Sequence, residues 1–325
     1  MQVSPNVRAV QVPDDSPMHP VYTNIYLVGH GQVLTIDSGE DAERYRWMLK
    51  GYLAATEKAE IALSGITHHH IDHSANLKWL RDQYKAEVFV HDLGKPILQD
   101  RLPEDGVHTM HEGQVIDVGA GVKPVVLHTP GHSVDSVCYY LEDEGVLFSG
   151  DTMLGSTPTT VGDLFDYMAS LERIRTLPNL QVICPGHGPL IQNPREYIDD
   201  YIKHRNEREH QIVSVLSEGG EMTSWDIMMK IYTDIDQRLR RAADGNVRTH
   251  LRKLEKEGRI KSFEGIAKER SADEVQKAEE EEHERLEVIK KADEYREQAR
   301  RRMLFLQENP PSEQWEVPPK YELVG

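Results

Sequence analysis

The sequence predicts an α/β catalytic domain, then a small winged-helix-like unit, then a long helical extension. Three changes of texture along its 325 residues predict this. Over the first 190 or so residues, short apolar runs alternate with amphipathic stretches. Near Asn193-Pro194 the strand signals stop and helical periodicity takes over. From Lys268 to Asn309 neither Gly nor Pro interrupts a run of charged, helix-forming residues. The expected divisions are 1–194, 195–266, 267–309 and 310–325.

Strand-like runs are Asn24–Val28, Val33–Asp37, Ile61–Thr67, Glu87–His91, Pro124–His128, Val137–Leu141, Val146–Ser149 and Gln181–Cys184. Many end in turn chemistry, as at Asp37-Ser38-Gly39, Thr129-Pro130-Gly131, Gly150-Asp151 and Pro185-Gly186. Ala42–Ala54, Ala75–Tyr84 and Leu164–Thr176 read as helices between them. In the second unit, Arg195–Leu216 is a long amphipathic helix stopped by Gly219-Gly220. Thr223-Ser224-Trp225-Asp226 reads as a capping box opening a helix to Tyr232. A helix over Asn246–Lys256 and a strand from Gly258 to Phe263 complete it. Residues 268–309 read as one helix of about 60 Å at about 1.5 Å per residue. Charge pairs at i,i+4 support it, among them Asp273/Lys277 and Glu281/Arg285. Pro310-Pro311 stops it, and Pro318-Pro319 keeps the last segment an extended tail.

The net charge of −17 is uneven: residues 1–200 carry 14 Lys/Arg against 28 Asp/Glu, whereas 201–263 carry 13 against 10. Such acidity disfavours polyanion capture, which depends on Lys and Arg. No apolar stretch is long enough for a membrane span, and the first residues lack a signal pattern, so no membrane association is expected. Two cysteines exclude a disulfide scaffold and fit a reducing cytoplasm.

The chemistry is expected to lie in Thr67-His68-His69-His70-Ile71-Asp72-His73, directly after a strand. An alternating His-x-His at a strand end projects His68 and His70 to one side, and His69 points away. Asp72 and His73 enter from the following helix. A surface histidine tract is the bland alternative. Three later segments weigh against it, because His132, Asp151 and His187 each follow an apolar strand beside a glycine. Five imidazoles and two carboxylates suit borderline ions such as Zn²⁺. They are too many for one tetrahedral ion and enough for two that share a carboxylate.

HxHxDH at 68–73 followed by His132, Asp151 and His187 resembles the metallo-β-lactamase-fold hydrolases. More narrowly, GDTMLGSTPTTVGDLFDYMASL (150–171), PGHGPLIQNPREYIDDYIKHRNEREHQI (185–212) and HLRKLEKEGRI (250–260) resemble the beta-lactamase-like protein 2 family, which has a C-terminal winged helix. The resemblance implies an αβ/βα sandwich with a metal site at one edge of its sheets. His68, His70 and His132 would hold one divalent ion and Asp72, His73 and His187 a second, with Asp151 bridging, so that Asp72 and Asp151 sit at the catalytic centre. A metal-bound hydroxide would be the nucleophile. Zinc is expected first, and iron or manganese can occupy similar sites. Asp37 resembles the carboxylate that orients a ligand imidazole, with a turn-forming Asp as the alternative.

Departures from the family are His69, where it carries an aromatic or small residue, and Ala75-Asn76, where it carries glycines. His111 and His128 are candidate extra ligands or acids but fit better as wall residues, and Cys184 fits a packed thiol. Phe165 and Tyr167 could line the pocket, core packing being expected for one of them. The family includes acyl thioesterases and a single-stranded RNA endoribonuclease. The acidity favours a small acyl ester, thioester or lactone-like substrate, with RNA as the alternative. The RNA reading would use Arg238, Arg240, Arg241, Arg248, Arg252 and Lys253. A nonhydrolytic DNA-binding role for the winged helix is a third reading. The apolar residues Ile289, Tyr295, Met303, Leu304, Phe305 and Leu306 need a partner surface, and a homodimer is expected to supply it.

Overall fold

The computed structural model describes residues 1–13, 22–56, 59–267 and 315–324. They divide into two compact units, Met1–His204 and Arg205–Gly325. The helix expected over 268–309 lies outside the described residues.

In the first unit, seven strands form one sheet in sequence order: β1 (Gln2–Ser4), β2 (Val7–Pro13), β3 (Tyr22–Val28), β4 (Gln32–Ile36), β5 (Glu60–Gly65), β6 (Glu87–His91) and β7 (Val107–Met110). Pairing is antiparallel from β1 to β4 and parallel from β4 to β7. The crossovers carry α1 (Glu43–Thr56), α2 (Ile71–Ser74), α3 (Leu77–Tyr84) and α4 (Lys95–Leu98). A second sheet has the order β11-β10-β9-β8, from β8 (Val125–His128), β9 (Val137–Leu141), β10 (Val146–Gly150) and β11 (Val182–Pro185), with α5 (Leu164–Arg175) before β11.

Side-chain alternation assigns the faces. Val137, Tyr139 and Leu141 of β9 meet Tyr26, Val28, Leu34 and Ile36 between the sheets. Cys138 and Tyr140, on the opposite face of β9, pack under Leu164, Tyr167, Leu171 and Ile174 of α5. Across the first sheet, Val10, Val12, Ile25 and Leu27 lie under Tyr45, Leu49 and Leu53 of α1. Two sheets are thus enclosed by helices on both outer faces. At one edge they are clasped together: Asn24 Nδ2 donates to the carbonyls of Pro185 and Gly188, both at 2.9 Å, and Tyr26 Oη to that of Pro185 at 2.7 Å.

The helix α6 (Pro194–Ser217) begins in the first unit and ends in the second. The second unit adds β12 (Met222–Thr223), α7 (Ser224–Ile231), α8 (Arg240–Lys256), β13 (Ile260–Phe263), β14 (Ile266–Ala267), β15 (Trp315–Val317) and β16 (Lys320–Leu323). The capping box of α7 forms, with Asp226 N donating to Thr223 Oγ1 and Thr223 N to Asp226 Oδ2, each at 3.1 Å. The structure corrects two expectations here. The third helix starts at Arg240 rather than Asn246. The extended tail is also a structural strand, since β16 lies between β12 and β13 in a three-stranded sheet. Its Tyr321 and Leu323 pack on the cluster of Val247, Leu251, Leu254 and Ile260. Among the described residues no helix is long and apolar enough to cross a membrane.

Candidate metal centre

All seven side chains picked out as ligands meet at the clasped edge. His68 and His70 follow β5, and Asp72 and His73 lie in α2. His132, Asp151 and His187 follow β8, β10 and β11. They form two groups, His68/His70/His132 and Asp72/His73/Asp151/His187, each with atoms close enough to hold a metal ion.

In the first group His68 Nε2 stands 2.8 Å from His70 Nδ1 and 3.2 Å from His132 Nε2, and His70 Nδ1 stands 3.0 Å from His132 Nε2. In the second, His73 Nε2 lies 3.2 Å from His187 Nε2, and Asp72 Oδ2 lies 3.0 Å from His187 Nε2 and 3.4 Å from His73 Nε2. Asp151 faces both groups. Its Oδ1 is 3.4 Å from His73 Nε2 and 3.6 Å from His187 Nε2, and its Oδ2 is 3.8 Å from His132 Nε2. Ligands at about 2.05 Å from a tetrahedral ion stand roughly 3.3 Å apart, so these separations suit atoms converging on a shared cation. Asp151 Oδ1 is buried without a hydrogen-bond partner, an arrangement that is costly unless a cation satisfies it.

Electrostatics point the same way. Burial, then the neighbouring histidines led by His132, push the His70 imidazole down to about 4, and burial also lowers His68. Both are therefore neutral and able to ligate at pH 7. Burial opposes ionisation of Asp72 and Asp151, yet His73 and His187 hold both carboxyls well below the ordinary range. Burial likewise opposes the charge on His73, but Asp72, Asp37 and Asp151 outweigh it and raise this imidazole well above its usual value. Three buried carboxylates around one ring call for positive charge, which a divalent ion would supply.

The remote nitrogens are held as well. Asp37 Oδ2 accepts from His73 Nδ1 at 2.8 Å, and its Oδ1 accepts from Thr67 N at 2.7 Å. Asp37 thus bonds a ring nitrogen of His73, and it does so from a left-handed backbone at φ 66°. His68 Nδ1 meets Thr67 Oγ1 at 3.1 Å, His187 Nδ1 meets Thr23 Oγ1 at 3.1 Å, and His132 Nδ1 donates to the Thr160 carbonyl at 2.8 Å. Sequence reasoning named none of these three partners. Glycine is needed at 186, where an added Cβ would lie 2.5 Å from Asp151 Oδ1 and 2.7 Å from His73 Cε1.

The other candidates fall outside the two groups. His69 Nδ1 bonds Asp135 at 2.7 Å, which turns it out of the ligand group, although its ring stands edge-on to that of His70 with centroids 4.7 Å apart. His128 stacks on His91 with centroids 4.2 Å apart and bonds the Val134 carbonyl, while His111 faces Asp92. Tyr167 is core, its hydroxyl donating to the Thr152 carbonyl, whereas Phe165 is exposed. Cys184 is buried, and burial raises its thiol.

The metallo-beta-lactamase superfamily model matches residues 19–187, more than half of the chain. The chain belongs to the metallo-β-lactamase superfamily. A second model, the beta-lactamase associated winged helix domain, matches residues 223–268 of this metal-dependent hydrolase. The beta-lactamase-like protein 2 homologue of Caenorhabditis elegans is 38% identical over 248 residues, covering 74% of this superfamily member and 81% of the relative. An atrochrysone carboxyl ACP thioesterase of Aspergillus fumigatus is 36% identical over 217 residues, 66% of each chain. Among solved structures, a Burkholderia ambifaria beta-lactamase domain protein aligns with TM-score 0.71 at 21% identity, covering 82% of this chain and 90% of its own. A metallo-beta-lactamase family protein from Thermus thermophilus aligns with TM-score 0.65 at 24% identity, covering 80% and 96%. Both show the fold alone.

Proposed function

We propose that the protein hydrolyses an ester, thioester or lactone-like acyl substrate with two divalent ions, zinc first among them. His68, His70 and His132 would hold one ion and Asp72, His73 and His187 the other, with Asp151 bridging. The observation that carries this reading is the Asp151 carboxylate, which turns one oxygen to each group. When bound, such a pair supplies a water activated at neutral pH and positive charge for the oxygen that develops on the substrate. The chain's own part is to keep His68 and His70 unprotonated, to fix the imidazoles through Asp37, Thr67, Thr23 and the Thr160 carbonyl, and to hold Asp151 ionised.

The relative named as an ACP thioesterase supports acyl chemistry. The second unit gives the RNA alternative less support than its sequence suggested. Lys253 is bound to Glu209 at 2.6 Å and Glu257 at 2.7 Å, and Arg248 to Asp244 at 3.1 Å. These cations are partly neutralised within the fold.

Two measurements test the proposal. Metal analysis is expected to find two ions per chain, with Asp151→Asn lowering both and His73→Ala emptying mainly the second group. One ion in the unaltered protein, unaffected by Asp151→Asn, sinks the dinuclear reading. Parallel assays on acyl thioesters and single-stranded RNA are expected to favour the thioester and to change little with salt. RNA cleavage that weakens steeply with salt and disappears with Arg248→Ala and Arg252→Ala would establish the alternative.

A further inference from the structure

Nine large apolar side chains of the Met1–His204 unit are exposed among the described residues, and four of them border the metal-ligand groups. Ile71, 62% exposed, stands between His70 and Asp72, and Val134, 57% exposed, lies two residues past His132. Leu93 and Ile97 lie on the segment that leaves β6. This segment runs against the His132 loop, since a Cβ added to Gly94 would lie 3.1 Å from Asp135 Cβ. Asp135 holds His69 at 2.7 Å, and His128 Nε2 holds the Val134 carbonyl at 3.0 Å. Three ligand-edge segments are thereby joined, each presenting a branched aliphatic side chain to solvent.

Exposed aliphatic groups clustered beside a polar site mark a surface that a ligand covers. Their chemistry limits the ligand. Across 69–73, 91–98 and 130–136 there is no Phe, Tyr or Trp on which a nucleobase could stack, and Lys95 is the one Lys or Arg. Beside them, α5, whose preceding Asp163 N bonds the Gly131 carbonyl, adds a single exposed aromatic, Phe165. We infer that Ile71, Leu93, Ile97 and Val134 seat an aliphatic acyl chain whose carbonyl lies at the two ligand groups. The inference rests on the acyl reading above and narrows its substrate class to chains of several methylenes. A fully buried methylene favours binding roughly fourfold, and a half-buried one about twofold.

The test uses the metal-loaded full chain and S-acyl N-acetylcysteamine thioesters from acetyl to decanoyl. The expected kcat/KM rises about twofold per methylene over the middle of the series. Leu93→Ser combined with Val134→Ser is expected to lower the decanoyl-to-acetyl ratio about tenfold, with metal content as in the unaltered protein. Dansylaminoundecanoate, titrated without turnover, is expected to bind the unaltered protein about tenfold more tightly than the variant. A flat chain-length series overturns the seat and leaves thioester hydrolysis standing. A steep series that survives both substitutions also overturns it. If no thioester is cleaved at any length, the acyl reading fails instead, and equal dansyl probe binding by the two proteins then removes the seat as well.

Discussion

His73 is gripped twice. Asp37 holds its ring, while Ser38 holds its backbone, with Ser38 N at 2.8 Å and Oγ at 2.9 Å from the His73 carbonyl. Asn76 locks this arrangement. Its Nδ2 donates to the carbonyls of Ser38, at 2.9 Å, and Glu40, its backbone N meets Ser38 Oγ at 3.1 Å, and its Oδ1 accepts from Arg46 Nε at 2.8 Å. Asn76→Ala takes the side-chain donor from the buried Ser38 carbonyl, one of two donors from the half-buried Glu40 carbonyl, and one of two acceptors from Arg46, which keeps Asp41. It should weaken metal binding by the Asp72/His73/Asp151/His187 group about tenfold, as loss of a ligand-orienting partner does. Binding by His68, His70 and His132 should stay within about twofold, as read by titrating the metal-free protein. Equal loss at both groups would mean general destabilisation. The convergence of the seven candidate ligands was legible in the sequence because His and Asp clustered after apolar strands, several beside glycines, are an uncommon pattern. Thr23, Thr67 and the Thr160 carbonyl were not, because a threonine or a main-chain oxygen becomes a partner only through contacts distant in sequence.

Elements were legible where local signals agree. Most of the nine anticipated strands have apolar runs with turn chemistry at their ends. Among those missed, β2 is interrupted by Arg8 and Gln11, β7 is Val-His-Thr-Met, β16 is Lys-Tyr-Glu-Leu, and β1, β12, β14 and β15 are only two or three residues long. Pairing with neighbours, not propensity, makes these strands. The start of α8 was hidden by Gly245 and a polar first turn. In the second unit, Glu209 of α6 accepts from Lys253 of α8 and from Arg259, joining three segments. Burial raises its carboxyl, but Lys253 and Arg259 more than compensate and hold it below the ordinary value. A depressed acid stabilises fully above the unfolded pKa, near 4.3, and loses that contribution as pH falls through the folded value. Glu209→Gln should therefore cost about 1–2 kcal/mol at pH 7, with the difference narrowing towards pH 3. Urea unfolding at the two pH values checks this, and a pH-independent difference would place the effect in packing.

At the scale of the molecule, the described part of the second unit breaks off at Ala267 and resumes at Trp315, and these two residues are paired across β14 and β15. Beyond Trp315, β16 fills the centre of the sheet, with Ile260 paired to Leu323 and Met222 to Tyr321. Removing everything from 268 onward therefore deletes two strands, β15 and β16, as well as the intervening segment, and these effects must be separated. Deleting 315–325 strips Tyr321 and Leu323 from the Val247–Leu251–Ile260 cluster, a loss of about 3 kcal/mol by analogy with large-to-small core changes. Amide exchange in α8 should accelerate correspondingly, while the metal content of the first unit stays unchanged, because all seven proposed ligands lie within Met1–His204. Replacing 268–314 with Asn-Gly, a turn suited to antiparallel neighbours, keeps the strand. This variant should retain both metal content and α8 protection. If Met303, Leu304, Phe305 and Leu306 supply the contact of a homodimer, its mass in solution should fall to that of one protomer. A dimer that persists would assign the contact to residues outside 268–314, and metal loss in either variant would show that the first unit depends on the second.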